Sequence, residues 1–311
     1  MTMSVRRGIV IAMSLTMLAA ACGGDENPPA GGGDGGGLPG EGKPTVTIGT
    51  KDFTEEFILG ELYTQALTAK GYTVVLKSNI GSTEIIDKAL VSGEIDAYPE
   101  YTGVAVAVSA GKDIIPKSAE ETLSLATDFY ESRGQTVSDA TPFFDVDAIA
   151  TTKETADAEG LTTVADLKKL GSFTVGARPE FQDRYQGFRG MQEVYGLTDA
   201  KFKQLAFGLQ YQALDSGDIE AANVFSTDAQ LAGGKYTVLE DPEGVFGFQN
   251  VVFVIDQAKL DELGPDFMGI INAVNALLTN DAMQAMNAAV DIDKQEPTDV
   301  AKDFLDANEM L

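Results

Sequence analysis

Three polar segments carry the residues from which a binding site could be built. Gly49-Thr50-Lys51-Asp52-Phe53-Thr54-Glu55 follows an apolar stretch and enters a helical pattern. Lys51 and the free backbone N–H groups of a helix start therefore meet at one spot, suited to an anion or another polar ligand. Ile80-Gly81-Ser82-Thr83-Glu84 repeats that strand-to-helix chemistry, and Tyr98-Pro99-Glu100-Tyr101-Thr102-Gly103 adds aromatic rings to it. Catalysis is poorly supplied by comparison. The chain has no histidine, which removes the commonest general base, the usual zinc ligand and the usual activator of a serine. No Gly-x-Ser-x-Gly elbow is present, so a secreted hydrolase or transferase would have to work with acidic pairs such as Asp145 and Asp147. No metal ion or cofactor is called for.

These segments are embedded in 311 residues, room for two domains of ordinary size. The formal charge is -26, from 22 basic and 48 acidic side chains with no basic cluster to offset them, and so phosphate backbones are repelled and nucleic-acid binding is excluded. Cys22, the single cysteine, cannot close an intrachain disulfide, so stability must come from the core.

From Thr45 onward short apolar strands alternate with amphipathic helices, an α/β pattern with largely parallel sheets. Strands are predicted at Val46–Gly49, Thr73–Lys77, Ile95–Tyr98, Ala148–Thr151, Phe173–Gly176, Ala221–Val224 and Val251–Ile255. Helix starts are signalled at Thr54, by the capping boxes Ser118 to Glu121 and Thr163 to Asp166, and at Thr298. The run Ala89-Leu90-Val91-Ser92-Gly93-Glu94-Ile95-Asp96-Ala97 returns as Ala213-Leu214-Asp215-Ser216-Gly217-Asp218-Ile219-Glu220-Ala221. Each reads as a helix end, a glycine turn and a strand; true repetition and a common connector account for it equally. Either way, two similar lobes would place ligand groups in a cleft, at the carboxyl ends of strands.

The N-terminus is an export signal. Arg6 and Arg7 precede the apolar run Gly8 to Leu18, which is too short to span a bilayer. Leu18-Ala19-Ala20-Ala21-Cys22 resembles the lipobox of bacterial lipoproteins, which implies lipidation of Cys22 and anchoring in the cell envelope, at the outer face of the cytoplasmic membrane or in the periplasm. Residues 23–43, mostly Gly and Pro with no apolar periodicity, are expected to form a flexible tether; no strand precedes their glycines and no Lys-Ser/Thr closes them, so they are no phosphate loop.

The three polar segments, in this order and with the run Gly93-Glu94-Ile95-Asp96-Ala97-Tyr98-Pro99-Glu100-Tyr101-Thr102-Gly103, resemble the substrate-binding proteins of ABC importers for glycine betaine, choline, carnitine and related quaternary ammonium compounds. Glu180 to Arg184, Ser226-Thr227-Asp228 and Asp299 to Leu305 extend the likeness to the C-terminus. The resemblance implies a two-lobed periplasmic-binding-protein fold of type II, with lobe I at 44–147 and 248–311, lobe II at 148–247, and the ligand cleft between them. It implies a monomer that takes no cofactor, captures a small quaternary ammonium ligand by hinge closure, and delivers it to an ABC permease with a cytoplasmic ATPase. By motif position Tyr101 is a cage aromatic, Lys51 and Arg184 are the cations for a carboxylate tail, and Phe225 and Phe248 stand at further aromatic positions. Val104 replaces the family's usual Thr, and Asp147 falls where another cage Tyr is expected. These two substitutions favour a choline-like ligand over glycine betaine, against the pull of Lys51 and Arg184. A same-fold receptor for another small solute, such as an amino acid, is the alternative.

Overall fold

The computed structural model describes residues 37–311, and the export signal, Cys22 and the first part of the tether lie outside them. The last tether residues form turns docked on the body, where the Gly40 N–H donates to the Lys70 carbonyl at 2.9 Å.

Among the described residues ten strands form two five-stranded sheets: β1 (Val46–Gly49), β2 (Val74–Lys77), β3 (Ala97–Tyr101), β4 (Gln135–Val137), β5 (Asp147–Thr152), β6 (Phe173–Ala177), β7 (Ala200–Gln204), β8 (Ala221–Phe225), β9 (Tyr236–Leu239) and β10 (Val251–Asp256). The first sheet has the order β2-β1-β3-β10-β4 and the second β7-β6-β8-β5-β9. The orders are equivalent position by position, with one antiparallel long strand, β10 or β5, entering each sheet beside β3 or β8. Ile48 of β1 pairs with Ala97 of β3, and Val175 of β6 pairs with Ala221 of β8. Ala97 and Ala221 are the ends of the two echoing sequence runs, so the echo is realised as the same unit in each sheet.

The chain leaves the first sheet after β4 and returns to it at β10, and the two crossing segments pair through a bridge between Phe144 and Asn250. Apolar periodicity explains the layer beneath the first sheet. In α1 (Thr54–Ala69) the buried Ile58, Leu59, Leu62, Tyr63, Ala66 and Leu67 recur at helical spacing, and they pack with Val300, Ala301 and Leu305 of the C-terminal helix Pro297–Ala307. Truncating one of these, such as Leu62→Ala, removes fully buried apolar volume at a cost of about 2–5 kcal/mol. A second core lies within the other sheet's layer, around Val164, Phe173, Val175, Phe181, Met191 and Phe246.

β3 runs through Pro99 to Tyr101, three residues beyond the predicted end at Tyr98. Its pairing with β1 is confined to Ala97, while β10 supports the full length from Ala97 to Tyr101, so the donor that Pro99 lacks is not required on the β1 side.

Candidate functional site

Register equivalence places the chemistry. Three residues beyond Ile48 stands Lys51, and three beyond Val175 stands Arg178; four beyond Ala97 stands Tyr101, and four beyond Ala221 stands Phe225. Each lobe thus ends two adjacent parallel strands in a cation beside an aromatic ring. The Lys51 ammonium lies 4.4 Å from the Tyr101 ring centroid, and the Arg178 guanidinium 5.0 Å from that of Phe225. At these separations the ring quadrupole attracts the cation.

A layer of rings closes the cleft. Phe53, at the N-cap of α1, stacks on Phe225 at 5.2 Å and on Phe207 at 5.6 Å between centroids, and Tyr101 stands 6.1 Å from it. These rings line a cavity of about 30 Å³, space for about two waters. A trimethylammonium group is larger than that, so the rings must part to admit one.

Ion pairs hold the cations. Lys51 is buried, 2.5 Å from Glu100 Oε1 and 3.6 Å from Glu56 Oε1. Arg178 donates two hydrogen bonds to the Asp147 carboxylate, at 2.7 and 2.8 Å, and sits 3.1 Å from Glu180. Burial would raise the Asp147 carboxyl, but the Arg178 charge and its hydrogen bonds outweigh it and hold it below the usual range. Arg184 crosses from the second lobe to Glu84 of α2 (Thr83–Val91), with contacts of 3.0 to 3.2 Å; burial of Glu84 is again outweighed by the guanidinium, and its pKa falls to about 2. A second arginine, Arg189, reaches Asp113 across the same face.

The remaining acids are not ion-paired among the described residues. Glu55 is buried and accepts from Tyr101 Oη (2.7 Å), Thr227 Oγ1 (2.7 Å) and Asn287 Nδ2 (2.9 Å). Burial raises its carboxyl despite those donors. Asp145 is raised well above its usual value by burial and then by the Glu55 charge, and burial takes Asp228 to about 6. These carboxyls are held towards their neutral forms, and a cation entering beside them would favour their ionisation, so the acidic lining rewards a positive charge.

Of the residues singled out in the sequence, Lys51, Tyr101, Val104, Asp147, Arg184 and Phe225 line this one cavity. Phe248 does not: the residue is 38% exposed, its carbonyl accepts from Thr102, and the next residue, Gln249, faces the cavity instead. The backbone there comes so close that a Cβ at Gly103 would lie 2.7 Å from the Phe248 oxygen, so glycine is required. Asp147 is paired with Arg178 rather than with Arg184, because β5, which begins at Asp147, and β6, which ends just before Arg178, flank β8 in one sheet, where Asn223 bonds both side chains, while Arg184 points to the other lobe. Sequence reasoning passed over Phe53, Arg178, Phe207, Asp145 and Gln249 as ligand-facing residues. For Arg178 the echo alone gives no signal, because its offset carries Lys51 onto Val175; only the sheet register, Ile48 with Ala97 and Val175 with Ala221, brings Arg178 to the place of Lys51.

Comparison with known proteins agrees with this architecture. The family described as the substrate binding domain of ABC-type glycine betaine transport systems matches residues 44–307. A glycine-betaine-binding protein of Pseudomonas aeruginosa is 32% identical over 285 residues, covering 86% of this chain and 89% of its own length. An ergothioneine transport permease/ergothioneine binding protein of Helicobacter pylori is 29% identical over 269 residues, 86% of this chain and 48% of that longer protein. Among solved structures, that of a glycine betaine/carnitine/choline ABC transporter matches with a TM-score of 0.69 at 25% identity, covering 85% of this chain and 99% of its own. The fold is the two-lobed type II periplasmic-binding-protein fold.

Proposed function

The chain belongs to the family of substrate-binding domains of ABC-type glycine betaine transport systems, and from that premise we propose that it captures a quaternary ammonium cation between Phe53, Tyr101, Phe207 and Phe225 and hands it to an ABC permease driven by a cytoplasmic ATPase. A quaternary ammonium donates no hydrogen bond, so it is recognised by aromatic faces, each contributing about 0.5–2 kcal/mol, and by the buried carboxyls of Glu55, Asp145 and Asp228, whose ionisation a cation favours. Binding works by hinge motion: the lobes part to admit the head group and close on it, with contacts from both lobes stabilising the form the permease recognises.

One observation carries the choice of ligand within the class. Every arginine or lysine lining the cavity is already committed to a carboxylate: Lys51 to Glu100, Arg178 to Asp147 and Arg184 to Glu84. No cation is left for a carboxylate tail, so the ligand is choline-like, with a neutral tail, rather than glycine betaine. A second reading rests on Glu84. Its side chain is 39% exposed, and a zwitterion's carboxylate could take its place on Arg184, which would admit a betaine or ergothioneine. Calorimetric titration with choline, glycine betaine and ergothioneine separates the two. Choline tightest supports the first reading; a zwitterion tightest replaces it with the second; binding of none removes the quaternary ammonium assignment.

Lobe I spans 44–147 and 248–311 and lobe II spans 148–247 in this reading. The protein acts outside the cytoplasm as a monomer, anchored through lipid on Cys22, and catalyses no reaction. Support for this comes from the signal-like N-terminus, the lipobox resemblance and the transport role of the family. No helix among the described residues is long and apolar enough to cross a membrane.

A further inference from the structure

Behind the Phe53, Phe207 and Phe225 layer lies a second chamber of about 330 Å³, sharing that layer as one wall. Its other walls bring together Glu55, Asp145, Asp228 and Asp291, with Lys294 the one cation lining it. The hydrogen-bonding capacity left over there is accepting. Asn287 is 5% exposed; its Nδ2 donates to Glu55 Oε2 at 2.9 Å and to the Thr227 carbonyl at 3.3 Å, which fixes the amide's orientation and leaves Oδ1 without a partner. Asp145 accepts at Oδ1 from Ser226 and Thr227, and Asp228 at Oδ2 from Tyr211 and Phe225. Their second oxygens make no hydrogen bond to the described residues. A buried amide oxygen without a donor is unfavourable, and a ligand that donates would relieve it.

Both the charge and the unmet acceptors ask for a cation that carries N–H groups, the property a quaternary ammonium lacks. A bare metal ion is a poor match, because no group of three or more His, Cys, Asp or Glu side chains among the described residues converges closely enough to hold one. The volume suits a small organic ion instead. We propose that this chamber is a second subsite, for an organic ammonium ion with N–H donors, separated from the quaternary ammonium cleft by the phenylalanine layer.

The probe is 1,4-diaminobutane, titrated calorimetrically into the full chain at about 0.15 M salt, where surface counterion binding is screened. One equivalent should bind, with or without saturating choline. Asn287→Leu should weaken it by about tenfold, and Asp291→Ala, at the chamber's rim, by about threefold, both with thermal midpoints confirming the fold. Should Asn287→Leu fail to fold, Asp291→Ala carries the test. Displacement by choline would show a single shared site and overturn the proposal. So would several weak equivalents that vanish with salt, no binding at all, or folded variants that bind as the wild type does. The diamine binding where choline does not would remove the quaternary ammonium reading and leave this one standing.

Discussion

Asp147→Asn should exchange the ligand preference of the cleft. In the wild type the Asp147 carboxylate cancels Arg178, held by hydrogen bonds of 2.7 and 2.8 Å, and it sits directly across the sheet from Phe225. A head group taken up between Phe53 and Phe225 would share the cavity with that carboxylate, at a separation on the order of 9 Å. With an effective dielectric of ~20, one unit charge at ~9 Å is worth about 1.8 kcal/mol, or about 20-fold in affinity. Choline should therefore lose about 20-fold. Glycine betaine loses the same attraction at its ammonium but gains at its carboxylate, which no longer faces Asp147 and meets an Arg178 freed of its partner, so its affinity should change by no more than about threefold. The substitution also loosens a buried ion pair, which can cost up to ~3–5 kcal/mol of stability. The readout is accordingly the ratio of the two affinities, measured by calorimetry on the same preparation, since an inactive fraction cancels from it. Equal losses for both ligands, or an unchanged ratio, would refute the reasoning that Asp147 sets the charge of the site.

Phe53→Ala, Phe207→Ala and Phe225→Ala should each weaken choline by about 1–3 kcal/mol, measured by calorimetry, while Phe248→Ala should leave it within about twofold; the reverse order would move the cage. Asp228 is raised to about 6 from an unfolded 3.8, so the stability linked to its protonation is fully present below pH 3.8 and is lost as the pH rises through 6, about 3 kcal/mol at most. Relative to Asp228→Asn, the wild type should therefore lose stability between pH 4 and 7 in guanidinium unfolding, and parallel curves would contradict the buried assignment. Cys22→Ser should release the protein into the medium or leave it unprocessed, as followed by fractionation and mass spectrometry; a processed, membrane-bound product would refute lipidation.

Periodicity made the interior of the fold legible and left its edges obscure. β1, β6 and β8 appear at or within one residue of the predicted bounds because they are central and apolar, whereas β4, β7 and β9, absent from the prediction, are all edge strands. β7 is Ala200-Lys201-Phe202-Lys203-Gln204, whose charged side chains blunt an exposed edge and erase the apolar signal. At the site, residues within recognisable turns, Lys51 and Tyr101, were found, and so was Phe225 before its Ser-Thr-Asp. Phe207 sits in a loop with no pattern of its own, and only tertiary packing brings it against Phe53. Phe248 and Gln249 show the limit of motif spacing: a shift of one residue in an extended segment exchanges the side chain that faces the cleft.

The claim that the cleft recognises a cation is tested most directly by an isosteric pair. Choline and 3,3-dimethylbutan-1-ol have the same shape and the same hydroxyl, and differ in whether the quaternary centre is charged. Titrated calorimetrically under one condition, choline should bind at least about 30-fold more tightly, through cation–π attraction and through the Glu55 and Asp145 carboxyls, which burial raises and a cation would ionise. Equal affinities would show that the pocket selects shape and apolarity alone, and would contradict the account.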